Sequence, residues 1–316
     1  MPVVAPTPEN LDRAAAMLRN GGVVAIPTET VYGLAANVFD AAAVARVFEI
    51  KRRPSFDPLI VHVVDEAMLA RVVTEVPPMA RTLIERFWPG PLTLVLYKRP
   101  AIPELVTSGL ATVAVRMPAH PVARELLSRA GVPLAAPSAN PFGRLSPTRA
   151  EHVDRMLGDR VDLIVDGGAA ECGLESTIVG LVPAPTLLRP GAIAAEEIEQ
   201  AIGALCQPVD PGLPVAPGRL PQHYAPRTPV RLVHPQAVPL GERGRAGFIG
   251  LSQPSEGYAQ ARVLSDGGDL REAAARLFET LHELDEAGLE RIDVEPVPEQ
   301  GLGIAIMDRL RRASTR

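Results

Sequence analysis

The sequence predicts two α/β domains joined by a proline-rich connector. Short apolar runs typical of buried strands alternate with segments of helical spacing up to residue 202, and the alternation resumes at residue 230. Residues 207–229 carry prolines at positions 208, 211, 214, 217, 221, 226 and 229, which disfavour regular structure. A chain of 316 residues also exceeds the roughly 250 residues at which single cores stop growing. We therefore predict domains at 1–206 and 230–316, with a connector at 207–229.

Hydrophobic periodicity and turn residues predict the individual elements. Helices are expected at 10–20, 41–52, 67–73, 78–87, 121–130, 194–202, 270–287 and 302–312. Strands are expected at 23–26, 59–63, 92–97, 112–116, 163–165, 176–179, 230–233, 246–251 and 292–294, with a further strand and turn within 132–140. Asp40 is a candidate N-cap. A further helix running to residue 157 begins either with Ser146 as its cap or with a capping box of Thr148 and Glu151.

Composition limits the classes of protein to consider. Hydrophobic residues make up 47% and charged residues 22%, as in ordinary globular proteins. The net charge of −5 gives no overall attraction to nucleic acid, so any RNA contact needs a local patch. The two cysteines, Cys172 and Cys206, form no CxxC pair, and we expect neither a disulfide framework nor a structural zinc. No secretory leader pattern and no run of about 18 apolar residues occurs, so we expect a cytoplasmic protein without a membrane contact.

Residues 27–62 are the most informative stretch. A strand leads into the polar turn Pro-Thr-Glu-Thr, and the following helix ends in Lys51, Arg52 and Arg53, after which Pro54 blocks its continuation. Three cations at a helix C-terminus can also be explained without a binding site, because solvated cations there interact favourably with the negative end of the helix dipole. Their combination with other motifs favours a site.

Cations and hydroxyls recur at predicted strand ends and turns. The set comprises Lys51, Arg53, Arg116 and Arg189 with Thr30, Ser138, Ser146 and Ser176. Ligands bind at strand ends in open α/β sheets, and Arg and Lys suit phosphate or carboxylate. Neither a P-loop nor a GxGxxG, HExxH or GxSxG motif is present. The residues alone thus predict a site for a small anion, although strand ends also host structural polar groups.

Several motifs, in this order, resemble the Sua5/YrdC family of threonylcarbamoyl-AMP synthases. They are PTETVYGL, KRRPSFDPLIVH, PSAN followed by SPT, and ESTIV. The connector APGRLPQHYAPRTP and the terminal GLGIAIMDRLRRA resemble the two-domain Sua5 type. The resemblance implies a YrdC-like twisted open-sheet domain and a smaller Rossmann-like α/β domain. It also implies synthesis of threonylcarbamoyl-AMP and pyrophosphate from L-threonine, bicarbonate or CO₂, and ATP, the first step of threonylcarbamoyl-adenosine formation at tRNA position 37.

The matching motifs carry site residues over to this chain. The family holds threonine at positions that correspond to Thr30, His62, Arg116, Ala136 and Ser176. It holds ATP at positions that correspond to Lys51, Arg53, Asp57, Thr112, Ser138, Asn140, Ser146, Arg189, His223 and Tyr224, of which Lys51 and Arg53 are the candidate catalytic cations. The chain departs from the family pattern at two places. At Lys51-Arg52-Arg53, either arginine could face inward. After PSAN, the chain has Pro141-Phe142-Gly143.

The resemblance also implies a mechanism and partners. An N-carboxy anion of threonine attacks the α-phosphate, Lys51 and Arg53 stabilise charge developing on pyrophosphate, and Mg²⁺ arrives with ATP rather than at a protein-only site. The connector is a candidate lid. The product passes to a tRNA threonylcarbamoyl-transferase, and direct tRNA binding is at most weak.

Two other functions are alternatives to this one. The first domain could be a double-stranded-RNA or tRNA-binding module without ATP turnover, whose cationic concavity meets phosphates. The carbamoyl-adenylate chemistry of hydrogenase maturation would require zinc-finger cysteines and an acylphosphatase domain, and the sequence has neither.

Overall fold

The computed structural model describes residues 3–206, 217 and 223–315. A large mixed sheet occupies the first part of the chain, in the order β1-β8-β2-β3-β7-β4-β6-β5-β9-β10. Its strands are β1 (Val3–Val4), β2 (Val24–Ile26), β3 (Gly33–Asn37), β4 (Ile60–His62), β5 (Leu92–Tyr97), β6 (Thr112–Arg116), β7 (Leu134–Ala135), β8 (Leu163–Val165), β9 (Thr177–Gly180) and β10 (Thr186–Arg189). Most of these strands are buried along their length, as expected for a sheet covered by helices.

Helices pack on this sheet and enclose the first hydrophobic core. They are α1 (Pro8–Arg19), α2 (Ala41–Lys51), α3 (Glu66–Leu69), α4 (Pro78–Phe87), α5 (Glu104–Thr107), α6 (Pro121–Ala130), α7 (Ala150–Leu157) and α8 (Ala195–Ile202). Asp40 caps α2 as predicted, because its side chain accepts from two backbone amides of the first turn. Helix α2 ends where Arg52 adopts a left-handed conformation, one residue before the predicted end.

The second part of the chain forms a smaller parallel sheet in the order β11-β14-β12-β13. Its elements are β11 (Val230–Leu232), β12 (Ala246–Gly250), β13 (Gln260–Val263), α9 (Leu270–Glu286), β14 (Arg291–Val294) and α10 (Leu302–Ser314). An all-parallel sheet with α9 between β13 and β14 agrees with the Rossmann-like architecture that the resemblance implies. The α/β fold class of both parts is confirmed.

The two parts share one interface. Val31, Leu145 and Leu174 of the first part belong to the second hydrophobic core rather than to their own. Polar contacts accompany this packing: the rings of His152 and His282 stack with centroids 4.0 Å apart, and His282 Nε2 lies 3.1 Å from the carbonyl of Ser146. The second part is therefore docked against the loop that contains Ser146.

The predicted start of α7 is wrong. The helix begins at Ala150, and its N-cap residue, Arg149, makes no side-chain cap. The Ser146 cap does not form, because the Ser146 hydroxyl donates instead to Glu175. The Thr148–Glu151 capping box does not form either, and the Thr148 hydroxyl lies 3.4 Å from His152 Nδ1. A contact across 29 residues thus replaces the local hydrogen bond.

Other differences are small. The predicted helix 67–73 shortens to α3, and strands β1, β3, β10 and β13 have no counterpart in the prediction. Of the connector, the structure describes Pro217 and residues 223–229, so the prediction of a semi-extended segment falls mostly outside the described residues. Both cysteines have free thiols. None of the helices in the described part of the chain is long and apolar enough to cross a lipid bilayer.

Candidate active site

A cleft opens at the carboxyl ends of β4 and β6, where His62 and Arg116 are paired in register. Strand ends of this kind are where open α/β sheets bind ligands. The wall of the cleft is formed by Thr28, Thr30, Val31, Gly33, Arg53, Ile60, His62, Arg116, Ala136, Pro137, Ser138, Glu175, Ser176, Arg189, Pro217, His223 and Tyr224. All five residues predicted to hold threonine are in this wall.

Arg116 is held at one end of the cleft by three groups. Its Nη1 donates to Thr30 Oγ1 at 2.7 Å, its Nε donates to the carbonyl of Gly90 at 3.1 Å, and its Nη2 forms a 2.5 Å ion pair with Glu29 Oε1. Burial raises the pKa of Glu29, but the charge of Arg116 and the hydrogen bonds to the carboxylate together outweigh this, and the pKa lies below its ordinary value. Glu29 is thus an anion that orients Arg116, and the sequence analysis missed it although it lies within Pro-Thr-Glu-Thr.

His62 and Ser176 add neutral polar groups beside Arg116. Burial and the neighbouring Arg116 lower the pKa of His62 to about 3, so its ring is neutral at physiological pH. The Ser176 hydroxyl lies 2.8 Å from that of Thr93 on the adjacent strand. Ala136 completes this end of the wall with a methyl group. One cation, several hydroxyls and a neutral imidazole suit a small zwitterion with a carboxylate.

Arg53, rather than Arg52, faces the cleft. Arg53 Nη2 forms a 2.8 Å ion pair with Asp57 Oδ2, and both side chains are almost completely buried. Its Nε and Nη2 also donate to the carbonyls of Asp57 and Pro58. Arg52 is exposed at the left-handed end of α2. The pairing of Asp57 with Arg53 places Asp57 behind the wall rather than in it.

Lys51 lies behind the cleft wall. Its Nζ donates to the carbonyls of Ser138 and Asn140 at 2.5 and 2.6 Å, and its side chain is 1% exposed. Burial, with the nearby charge of Arg53, lowers its pKa well below the ordinary value. In this structure Lys51 therefore holds the turn that presents Ser138 to the cleft, and its predicted catalytic contact stays a prediction.

Three further predicted nucleotide residues lie outside the wall. Asn140 donates from Nδ2 to the carbonyls of Pro141 and Arg144 and so fixes its own loop. Ser146 is fully buried and bonded to Glu175. Thr112 is half-buried at the far end of β6, four residues and roughly 13 Å from Arg116 along the strand.

An apolar floor lies on the sheet between Arg116 and Thr112. Ile60, Val95, Ala114 and Ile178 form it as a separate small cluster on neighbouring strands. Ile60 belongs to both the floor and the cleft wall. The polar cleft and the floor are therefore continuous.

The connector contributes to the cleft. Arg189 Nη1 donates to the carbonyl of Pro217 at 3.3 Å, and its Nη2 donates to the carbonyl of Ser176 at 2.9 Å. His223 and Tyr224 line the wall, and the His223 ring packs edge-on against Tyr224 with centroids 4.1 Å apart. The described part of the connector thus lies against the cleft, and its role as a lid stays a prediction.

Glu175 and Arg309 are two further residues that the sequence analysis did not select. Glu175 lines the cleft and accepts from the Ser146 hydroxyl at 2.5 Å. Arg309, from α10 of the second part, donates to its other oxygen at 2.8 Å. Glu175 lies in the quoted ESTIV motif, which was the available signal, whereas Arg309 resembled one of several cations at a helix end.

The described residues offer no protein-only magnesium site. No group of three or more His, Cys, Asp or Glu side chains among them is arranged to hold a metal ion. The carboxylates of Glu29, Asp57 and Glu175, at or next to the cleft, are each paired with an arginine. The donor set therefore does not fit a resident Mg²⁺, and we derive no step through one.

Fold and cleft together define an α/β protein with a cleft lined by three arginines, Arg53, Arg116 and Arg189. The family model described as "Telomere recombination" (Sua5_yciO_yrdC) matches residues 16–191, and the model described as "Threonylcarbamoyl-AMP synthase, C-terminal domain" matches residues 193–315. The chain belongs to the Sua5/YrdC family, in its form with a Sua5 C-terminal domain.

Individual relatives agree with this assignment. A threonylcarbamoyl-AMP synthase of Pyrococcus abyssi is 43% identical over 95% of this chain and 93% of its own length. A threonylcarbamoyl-AMP synthase of Bacillus subtilis is 44% identical over 96% of this chain and 92% of its own length. The crystal structure of P. abyssi Sua5 complexed with L-threonine superposes with a TM-score of 0.92 at 40% identity, covering 99% of this chain and 98% of the other. The resemblance stated from the motifs is confirmed, whereas the predicted domain boundaries stay a prediction.

Proposed function

We propose that this chain synthesises threonylcarbamoyl-AMP and pyrophosphate from L-threonine, bicarbonate or CO₂, and ATP. The observation that carries the proposal is that Arg116, Arg53 and Arg189 line one cleft together with the hydroxyls of Thr30, Ser138 and Ser176. Relatives matched over nearly their whole length are named threonylcarbamoyl-AMP synthases, and one related structure contains L-threonine. These names favour the synthase over an RNA-binding module.

Threonine is assigned to the Arg116 end. Arg116 is oriented by Glu29 and Thr30, so its guanidinium is a fixed donor for the substrate carboxylate. Neutral His62 accepts or donates a hydrogen bond without adding charge. Ala136 and the Ser176 hydroxyl complete the pocket for the methyl and hydroxyl groups of the side chain. This end binds and orients the amine for reaction with CO₂.

ATP is assigned to the other end of the cleft and to the apolar floor. Arg53, Arg189 and Ser138 are in the wall where phosphates would lie, and Lys51 supports Ser138 from behind. The floor and Thr112 extend away from this point and offer a surface for the nucleoside. Asp57, Asn140 and Ser146 act in the proposal through the residues and loops that they hold. Mg²⁺ would enter with the nucleotide.

The reaction proceeds in two steps. The threonine amine first takes up CO₂ and loses a proton, which gives an N-carboxy anion. One oxygen of that anion then forms a bond to the α-phosphorus of ATP, and the bond between the α-phosphorus and the bridging oxygen breaks, so that the electron pair leaves with pyrophosphate. Chemistry of this kind depends mainly on positioning and charge neutralisation. The arginines provide the neutralisation, and His223 and Tyr224 of the connector limit access of water to the labile adenylate.

The biological setting is part of the same proposal. The product is a reactive acyl donor, and a tRNA threonylcarbamoyl-transferase in the cytoplasm would consume it for the modification of tRNA position 37. The net charge of −5 gives no general attraction to RNA, so direct tRNA binding is expected to be weak.

Pyrophosphate release tests the proposal. The purified chain is incubated with ATP and bicarbonate, with and without L-threonine, and the same is done for Arg116→Lys, which keeps a charge but loses the planar fork. We expect threonine-dependent release that the variant reduces mainly through a higher KM for threonine. Absence of release with any amino acid, together with tight and salt-sensitive RNA binding, would instead support the binding module.

A further inference from the structure

Arg309 is a charged side chain that the fold has removed completely from water. It lies on α10, is 0% exposed, and is among the largest fully buried side chains of the described residues. A buried guanidinium is tolerated only where carboxylates and hydrogen bonds compensate its charge. Arg309 Nη1 donates to Asp308 at 2.7 Å, and its Nε donates to Glu175 at 2.8 Å. One of the two partners therefore belongs to the cleft wall of the other domain.

Arg309 connects three separate segments of the chain. It leads through Glu175 to the cleft wall and on to Ser146, whose hydroxyl bonds to the second Glu175 oxygen. Its guanidinium also lies over the ring of Tyr224 in the connector, 5.0 Å from the centroid. A planar cation stacked on an aromatic ring is an attractive contact. A single side chain of the second domain thus supports both a wall residue and a lid residue.

The charge of Glu175 makes its hydrogen bond with Arg309 relevant to the reaction. Burial raises the pKa of Glu175, but Arg309, Arg189 and the Ser146 hydrogen bond more than reverse this, so the group is an anion in the wall of a cleft assigned to a triphosphate. An uncompensated carboxylate there would repel the nucleotide. Arg309 cancels that charge at a hydrogen-bonded distance, and the positive field of Arg53 and Arg189 remains available for phosphate.

Two buried donors next to each other add to the case. Arg309 Nη2 and the Tyr224 hydroxyl have no hydrogen-bond partner among the described residues, and neither atom is accessible to water. Buried donors without partners are costly, and native proteins normally satisfy them. Tyr224 lines the cleft and Arg309 belongs to the second domain, so the two unpaired donors lie where the second domain meets the cleft wall.

We propose that Arg309 is a positioning residue for the adenylation reaction, which acts from the second domain by neutralising Glu175 and supporting Tyr224 at the nucleotide end of the cleft. This inference rests on the proposed function, because it assigns ATP to that end. Its consequence is that the second domain is part of the catalytic unit. Arg309 acts through Glu175 and Tyr224 and is not itself assigned a contact with the reacting atoms.

The test separates electrostatics from loss of structure. Full-length Arg309→Met, Glu175→Gln and the double variant are compared with Arg311→Met, which removes an exposed arginine from the same helix. We expect Arg309→Met to raise the KM for ATP about tenfold or more and to change the KM for threonine by less than about threefold. The double variant should recover much of the ATP affinity, because the neutral amide that replaces the Glu175 carboxylate needs no compensating charge. Arg311→Met should behave as the wild type.

Unfolding midpoints are measured on the same samples. If one of the single variants unfolds, the double variant still gives the test, because it lacks both charges of the buried Arg309–Glu175 pair. The inference is overturned if the folded Arg309→Met variant keeps the wild-type KM for ATP, or if the KM values for ATP and threonine rise together and the double variant restores neither. Failure of the proposed function would look different, since the wild type itself would release no pyrophosphate in response to threonine.

Discussion

Arg116 and Glu29 form a 2.5 Å ion pair in which both side chains are almost completely buried. Removal of one partner of such a pair leaves an uncompensated buried charge, at a cost of about 3–5 kcal/mol. We therefore expect Arg116→Ala to lower the free energy of unfolding by about this amount in addition to any effect on threonine binding. Urea denaturation of the purified variant measures the change.

A double variant distinguishes the two effects. Arg116→Met combined with Glu29→Gln removes both charges and should regain most of the lost stability, while threonine-dependent pyrophosphate release stays abolished. Full activity in a stably folded double variant would contradict the assignment of Arg116 to the substrate carboxylate.

Neighbouring arginines offer a matched comparison. Arg53 lines the cleft and pairs with Asp57, whereas Arg52 is exposed. We expect Arg53→Gln, made together with Asp57→Asn to avoid a lone buried carboxylate, to raise the KM for ATP about tenfold. Arg52→Gln should leave the KM unchanged, because an exposed side chain at a helix end has no part in the cleft. Steady-state kinetics at saturating threonine provide the measurement, and equal effects of the two changes would disprove the orientation.

Buried histidines predict a pH dependence of stability. Burial, with the charge of Arg116, lowers the pKa of His62 to about 3, and burial lowers that of His282 to about 4. The unfolded chain titrates near 6.5 and binds more protons below that pH, so the free energy of unfolding falls as the pH drops from about 6.5 towards 4. Each of these two groups should cost about 1 kcal/mol at about pH 5.5.

The paired carboxylates Glu29 and Glu175 do not add to the loss in this window, whereas burial raises the pKa of Asp57, which opposes the loss. The pKa values of Glu29 and Glu175 lie below the ordinary value of 4.5, so the stability that they contribute is lost only at lower pH. Urea titrations at about pH 7.5 and about pH 5.5 measure the loss, and His282→Gln should reduce it. An unchanged difference in that variant would show that other groups control the acid sensitivity.

Two glycines test the docking of the second domain. Gly173 and Gly168 both have positive φ, but a Cβ on Gly173 would lie 2.3 Å from the carbonyl oxygen of Ala275 in α9, whereas one on Gly168 would meet nothing within 4 Å. Gly168→Ala should therefore cost only the strain of the backbone, about 1–2 kcal/mol. Gly173→Ala should cost about 3 kcal/mol or more, because α9 must also move. Thermal unfolding measures both, and equal losses would mean that the interface adjusts freely.

Elements bounded by local signals could be predicted from the sequence. Prolines at the first helical position and glycine after the last set α6, and the Trp-Pro-Gly-Pro turn precedes β5 closely enough to fix its start. Strand β3 was missed because its small residues have no alternation, although it is buried between two other strands. Strand β13 is only half-buried and polar in part, so its pattern is equally weak.

The parts of the site that lie in the family motifs or at strand ends could be predicted from the sequence. His62 and Arg116 come together because β4 and β6 pair in register, and Thr30 joins them from the turn between β2 and β3 through its hydrogen bond with Arg116. The partnerships of Ser146 with Glu175 and of Glu175 with Arg309 span 29 and 134 residues. No periodicity records contacts of that kind, since the first depends on tertiary packing within the first domain and the second on how the two domains pack.

Arg309 lies 134 residues after its partner Glu175 in the sequence, so the cleft of the first domain is completed late in synthesis. Val31, Leu145 and Leu174 have no core to enter, and Glu175 has no guanidinium partner from α10, until that last helix has been synthesised. Because N-terminal domains generally fold first during synthesis, a nascent chain carries an apolar patch and an uncompensated charge beside its own cleft while the second domain is being synthesised. Translation that stops early would therefore leave a first domain whose adenylation site is still unfinished.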